Sequence, residues 1–190
     1  MRVIAGSAKG MPLCSVKGDK TRPILDRVKG SLFNILSHVI PGSRIIDLYA
    51  GTGAIGIEAL SRGAEFCIFV EKEKSAIQVI KKNLETTKLQ DKAQVLQYDV
   101  LEVVQYFEKN KREVDLVLAS PPYPCIEKIP YMNKLLIVFS SLCNKRIIQP
   151  DGLIILQHRT MEFTIPPEAS CLELFDIRVY GDTQLSFFKV

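Results

Sequence analysis

From Arg44 onward, short apolar blocks alternate with longer stretches whose apolar residues recur every three or four positions. The blocks, at Arg44–Leu48, Phe66–Val70, Gln94–Gln97, Val114–Ala119 and Leu153–Gln157, read as buried strands. The stretches between them, at Ala54–Arg62, Lys74–Leu84, Val100–Lys109 and Tyr131–Ile147, read as helices. This rhythm predicts a parallel sheet covered on both faces, because each crossover helix must bury its apolar stripe against the strands. The end departs from it. Leu172–Tyr180 and Gln184–Val190 are two strand-like runs joined through Gly181-Asp182, which predicts an antiparallel hairpin. The expected fold is α/β, a Rossmann-like, mostly parallel sheet with a C-terminal antiparallel hairpin.

The first part of the chain follows another pattern. Two strand-like pieces, Arg2–Ala5 and Leu13–Val16, are punctuated by Gly6, Gly10 and Pro12 and predict a small hairpin. Thr21-Arg22-Pro23 then introduces a helix over about Ile24–Val39, with Val28, Leu32, Ile35, Leu36 and Val39 on one face, stopped by Pro41-Gly42. We therefore expect residues 1–43 to form a small hairpin and helix extension of the domain formed by residues 44–190.

Composition narrows the class. The chain has 190 residues, 47% hydrophobic and 24% charged, which excludes disorder and low-complexity fibres. Its apolar runs fall far short of the ~20 residues of a membrane helix. The start lacks the apolar stretch of a secretion signal, so a soluble, cytoplasmic protein is expected. Five scattered cysteines and two distant histidines, His38 and His158, offer no metal-ligand spacing. No metal is expected.

The net charge of +4 is unevenly placed. Up to Arg44 there are eight basic residues against two acids, a net +6, while the remainder has 17 basic and 19 acidic residues. A basic arm on a near-neutral body suits a polyanion, nucleic acid first. Arg2, Lys9, Arg22 and Arg27 are its candidate phosphate contacts.

Gly51-Thr52-Gly53-Ala54-Ile55-Gly56 matches G-x-G-x-x-G between a strand and a helix, the context that motif requires. Such a loop lets a ligand approach the backbone closely. Asp47 precedes it at the strand's end. Two like charges ~4 Å apart repel by about 4 kcal/mol near the protein surface. An acid there disfavours a pyrophosphate and favours an ammonium group. S-adenosylmethionine (SAM) carries an ammonium and a sulfonium and no phosphate, so the loop favours SAM over a nicotinamide dinucleotide. Glu71, ending the second strand, can accept hydrogen bonds from ribose hydroxyls. Asp99, after the third, can accept from the adenine amino group.

The fourth strand runs into Ser120-Pro121-Pro122-Tyr123. Two prolines stop a central strand and stiffen the backbone. A rigid turn ending in an aromatic suits a base pocket. Tyr123 can stack on a planar ring, while the Ser120 hydroxyl and the Pro121 carbonyl can accept from an exocyclic amine. These three are the candidate catalytic residues.

The residues from Asp47 to Ala64 (DLYAGTGAIGIEALSRGA) resemble the SAM loop of the RsmD family, guanine-N2 methyltransferases of small-subunit (16S) ribosomal RNA. Met1–Gly6, Thr21-Arg22-Pro23 with Asp26-Arg27-Val28-Lys29 and Leu32-Phe33-Asn34-Ile35-Leu36, Phe69-Val70-Glu71-Lys72 and Tyr180-Gly181-Asp182-Thr183 are similar to further family segments. The resemblance implies a SAM-dependent methyltransferase fold, and a cofactor set of Asp47, Ala50, Gly51, Gly53, Glu71, Lys72 and Asp99. It also implies ribosomal RNA or an assembling small subunit as partner. One position departs: the family usually has Asp-Pro-Pro-Tyr where this chain has Ser120-Pro121-Pro122-Tyr123. Serine removes a charged acceptor and leaves open an amino-methyltransferase acting on cytosine N4 or adenine N6 of DNA or RNA. It also leaves open an RNA-binding protein with impaired catalysis.

Overall fold

The computed structural model describes residues 1–16, 26–110 and 112–190. The strands are β1 (Arg44–Leu48), β2 (Phe66–Glu71), β3 (Ala93–Gln97), β4 (Val114–Ala119), β5 (Ile148–Arg159), β6 (Glu173–Tyr180) and β7 (Thr183–Lys189). They form one seven-stranded sheet in the order β3-β2-β1-β4-β5-β7-β6. The first five are mutually parallel, and β7 enters antiparallel between β5 and β6. The expected parallel sheet and terminal hairpin are both present. The order reverses between β1 and β4, and a sheet of this kind opens its ligand crevice beyond the carboxyl ends of the strands at that point.

Alternation along β1 assigns its residues to two layers, since successive strand side chains point to opposite faces. Ile45 packs in one core with Leu32 and Phe33 of α1 (Asp26–Ile35), Ile57 and Leu60 of α2 (Ala54–Ser61), and Ile80 and Leu84 of α3 (Lys74–Thr87). Ile46 and Leu48 pack in the other with Phe107 of α4 (Val104–Asn110), Ile126 of α5 (Tyr123–Ile126), and Leu135 and Phe139 of α6 (Ile129–Asn144). Asp47 shares the parity of Ile45 and so faces the α2 layer.

Several boundaries differ from expectation for local reasons. The helix expected over Val100–Lys109 is split into a 3-10 turn, Val100–Glu102, and α4, because the Asp99 carboxylate accepts from Leu101 N–H and caps the turn. Strand β5 is longer than Leu153–Gln157, and its register on β4 shifts near Pro150, which has no N–H for the ladder. The helix expected over Ile24–Val39 is seen as α1, followed by tight turns to Ile40; Ile24 and Leu25 lie outside the described residues.

The expected N-terminal hairpin is reduced to a single antiparallel bridge, Arg2 to Pro12, with flanking bonds such as Val3 N–H to the Met11 carbonyl. The reason is a competing acceptor. Ile4 and Ala5 N–H donate to the two carboxylate oxygens of Glu58, on α2, at 2.8 and 3.0 Å. Those donors cannot also serve a strand ladder. Glu58 is fully buried and also meets Lys29 Nζ at 3.1 Å and Arg62 Nε at 2.8 Å. Lys29, itself only 1% exposed, donates further to the Arg2 carbonyl. Val3, Ala8 and Leu13 join the α1–α2–α3 core. The N-terminal segment is thus stapled to the helix that follows the glycine loop.

Candidate active site at the sheet switch point

Gly53 caps α2 with φ of 78°, a left-handed conformation that glycine adopts without a Cβ clash. Gly56 is needed for a different reason: a Cβ there would stand 2.4 Å from the Phe69 ring and 2.7 Å from Cys67 Sγ. Its absence lets α2 lie directly on β2. Beside Gly51, by contrast, the nearest neighbour to a Cβ would be the Tyr49 carbonyl at 3.9 Å, so a ligand can approach that backbone.

Asp47 was expected to face what the loop holds. The structure corrects this: the side chain is 1% exposed and its Oδ2 accepts from Gly56 N–H at 2.9 Å. It lies under the loop because its strand parity sends it toward α2. Burial pushes its carboxyl up to about 7, against the lowering effect of the Gly56 hydrogen bond, and the charge of Glu71 adds to the rise.

Glu71 stands at the end of β2. Its Oε2 accepts from Gly51 N–H at 2.8 Å, and Oε1 accepts from Lys72 and Glu73 N–H at 2.8 and 2.9 Å. A carboxylate has about four acceptor sites, so Oε2 keeps capacity for a ligand hydroxyl. Asp99 caps its turn through Oδ1 and sets Oδ2 3.8 Å from Lys72 Nζ. Ala50 N–H donates to the Val70 carbonyl, tying the loop to β2. Gly51, Glu71, Lys72 and Asp99 are therefore brought together along one edge of the crevice. The set is acidic, and its one cation, Lys72, already faces Asp99. It suits a cationic nucleoside such as SAM better than a polyphosphate.

The other edge is the exit of β4. Ser120 N–H donates to the Leu48 carbonyl at 3.2 Å, so the Ser-Pro-Pro-Tyr turn leaves the sheet beside the glycine loop. Pro121 and Pro122 lead straight into α5, which begins at Tyr123. The Tyr123 hydroxyl sits 3.0 Å from Thr183 Oγ1, and the Arg159 guanidinium lies 5.6 Å from its ring centre. Arg159 also pairs with Glu127 at 3.0 Å. The Ser120 hydroxyl donates to Gln157 Oε1 at 3.1 Å.

Sequence reasoning missed Gln157, Arg159 and Thr183. The available signal was positional: Gln157 and Arg159 sit at the carboxyl end of a parallel strand, and the β6–β7 turn returns to that same end. It also missed Tyr49, which holds φ of 61° just past β1 and places its hydroxyl 2.9 Å from that of Tyr131. A non-glycine residue in that region stores about 1–3 kcal/mol of strain, held here by the hydroxyl pair and by packing of the half-buried ring against the α4–α6 core. Burial pushes the Tyr49 phenol up, so both hydroxyls stay neutral.

The candidate RNA contacts divide. Arg2, Lys9 and Arg27 are exposed, and Arg2 lies 3.9 Å from Asp26. Arg22 lies outside the described residues. Lys29, counted in the arm's charge, is buried against Glu58 and offers nothing to a ligand. The buried Asn83 joins the extension to the loop, accepting from Cys14 N–H at 2.7 Å and donating to the carbonyls of Cys14 and Thr52. Among the described residues no cluster could hold a metal ion, and no helix is long and apolar enough to cross a membrane.

Comparison with known proteins agrees with this geometry. The model of the family described as conserved hypothetical protein 95 matches residues 1–189. YlbH of Bacillus subtilis, a candidate rRNA methyltransferase by name, is 36% identical over 189 residues, spanning 100% of this chain and 98% of its own. Ribosomal RNA small subunit methyltransferase D of Haemophilus influenzae is 33% identical over 88% of this chain and 83% of its own. A solved structure of yhhF from Escherichia coli, described as a candidate methyltransferase, superposes with a TM-score of 0.80 at 27% identity, covering 99% of this chain and 96% of its own. On the strength of a match along almost the whole chain, and of the glycine loop and strand-end acids that it encompasses, the chain belongs to this family, that of the RsmD SAM-dependent methyltransferases.

Proposed function

We propose that the protein transfers a methyl group from SAM to the exocyclic N2 amine of a guanine in small-subunit ribosomal RNA. The observation that carries this reading is the meeting of two edges at the β1/β4 switch point. One is an acidic edge suited to a nucleoside, and the other is a rigid Ser-Pro-Pro-Tyr turn with an acceptor and an aromatic ring. The relatives' names supply ribosomal RNA as the substrate class. Residues 44–190 would form the methyltransferase domain, and residues 1–43 an RNA-contacting extension of it.

Bound SAM supplies an electrophilic methyl on a positive sulfur. Glu71 would hold the ribose hydroxyls, Asp99 the adenine amine, and the backbone at Ala50, Gly51 and Gly53 the amino-acid end, with Asp47 acting through the loop above it. Lys72 would keep Asp99 in place. Ser120 Oγ and the Pro121 carbonyl would accept the N2 hydrogens and turn the nitrogen lone pair toward the methyl, where alignment supplies several kcal/mol of a barrier. Tyr123 would stack on the base. The nitrogen held by Ser120 and Pro121 would gain the methyl as the sulfur keeps the S–C electron pair and leaves as a neutral thioether, and the resulting cationic amine would then shed one proton to water, so no strong base is needed before attack. A guanine in a loop, already unpaired, costs least to place there.

The basic arm would hold phosphates. Replacing Arg2, Lys9 and Arg27 together by alanine is expected to flatten the salt dependence of RNA affinity by ~0.7 in log–log slope for each phosphate no longer neutralised. An unchanged slope would remove these residues from the interface. Offering ribosomal RNA and DNA in parallel with labelled SAM tests the substrate class. Label in RNA alone is expected, and label in DNA would favour the DNA reading.

A further inference from the structure

We propose that Gln157 is a positioning residue that makes Ser120 an obligate acceptor, so that serine does here what a carboxylate would do. The inference rests on the reading of Ser120 as the contact to the target amine. A hydroxyl carries one hydrogen and two lone pairs, and its hydrogen rotates to whichever acceptor is nearest. Unrestrained, the Ser120 hydrogen could point at the amine nitrogen and occupy the lone pair that must attack. In the structure it points away, to Gln157 Oε1 at 3.1 Å. Both lone pairs of Ser120 Oγ are then left for hydrogens of an incoming amine.

Gln157 is built to hold that direction. It is 7% exposed. It follows Leu156, which pairs with Ala119, so Gln157 lies within β5 level with Ser120, where the chain leaves β4. On its other side β5 is locked to β7, with Gln157 opposite Leu185. The next residue, His158, is fully buried; its Nδ1 lies 2.7 Å from the Arg159 carbonyl and its Nε2 2.9 Å from Ser186 Oγ. The backbone carrying Gln157 is therefore fixed on both sides. The orienting effect is needed only because the residue at 120 is a hydroxyl. A carboxylate at 120 has no hydrogen to misdirect.

That difference gives a test that ordinary structural damage would not mimic. Methyl transfer to RNA is measured for wild type, Gln157→Leu, Ser120→Asp and the double variant. Gln157→Leu is expected to lower kcat about tenfold, the worth of one oriented hydrogen bond, with the KM for SAM unchanged. In the Ser120→Asp background the same change should cost less than about twofold. Gln157→Glu guards against a folding defect: its ionised carboxylate accepts as the amide oxygen does. Its kcat should climb toward wild type as pH rises through the glutamate ionisation, a rise absent from Gln157→Leu. An equal loss in both backgrounds would overturn the proposal, as would a Gln157→Glu profile parallel to wild type. If the wild type labels a base other than guanine, the substrate reading fails, yet the same four proteins still decide the pair on that amine. A wild type without any transfer overturns both.

Discussion

Glu58→Ala is expected to lower the melting temperature by roughly 10 °C. Glu58 is the fully buried acceptor for Lys29, Arg62 and the N–H groups of Ile4 and Ala5. Removing it leaves a lysine with 1% exposure uncompensated and two backbone donors unpaired. Breaking a buried ion pair from one side costs ~3–5 kcal/mol. In a domain of this size each kcal/mol moves the midpoint by about 2–4 °C. Amide exchange should rise first at Ile4 and Ala5. A shift under about 2 °C would mean that Lys29 finds another partner and that the N-terminal segment does not depend on this staple.

The second large effect concerns the cofactor. Glu71→Ala is expected to weaken SAM binding by about two orders of magnitude. On the proposed role of Glu71 it would remove a charge-assisted contact to the ribose, worth ~1.5–3 kcal/mol, and it also releases the Gly51 N–H that Glu71 now holds. Glu71→Gln should fall between, since its amide oxygen still accepts while its NH2 opposes the backbone donors at Lys72 and Glu73. Isothermal titration of each variant with SAM checks the order. Affinity equal to wild type in Glu71→Ala would remove Glu71 from the cofactor edge.

The parts of the fold that repeat along the chain were legible in the sequence. Five buried blocks separated by helical stretches imply parallel pairing, and the glycine loop marks where the first strand opens. What was not legible depends on pairs distant in sequence. Lys29 reads as one more charge of a basic arm until Glu58 is seen to bury it. The one available hint was an acid set among Ile57, Ala59 and Leu60 on a helix buried along its whole length. The same acid explains why the expected N-terminal hairpin is a single bridge. Asp47 does lie at the strand end, but its side of the loop was not legible, because β1 is apolar on both faces and the sequence does not say whether the face of Ile45 or that of Ile46 packs on α2. Ser120 was visible as a departure from the family's usual acid. Its partner Gln157, on the next strand, could be found only once the register of β4 on β5 was known.

The most direct test of the central reading is the chemical identity of the product. Small-subunit ribosomal RNA lacking the modification is incubated with the protein and methyl-labelled SAM, then digested to nucleosides and separated. Label in N2-methylguanosine, confined to one nucleotide, is the expected result. Label in N4-methylcytidine or N6-methyladenosine, or none despite SAM binding, would contradict it.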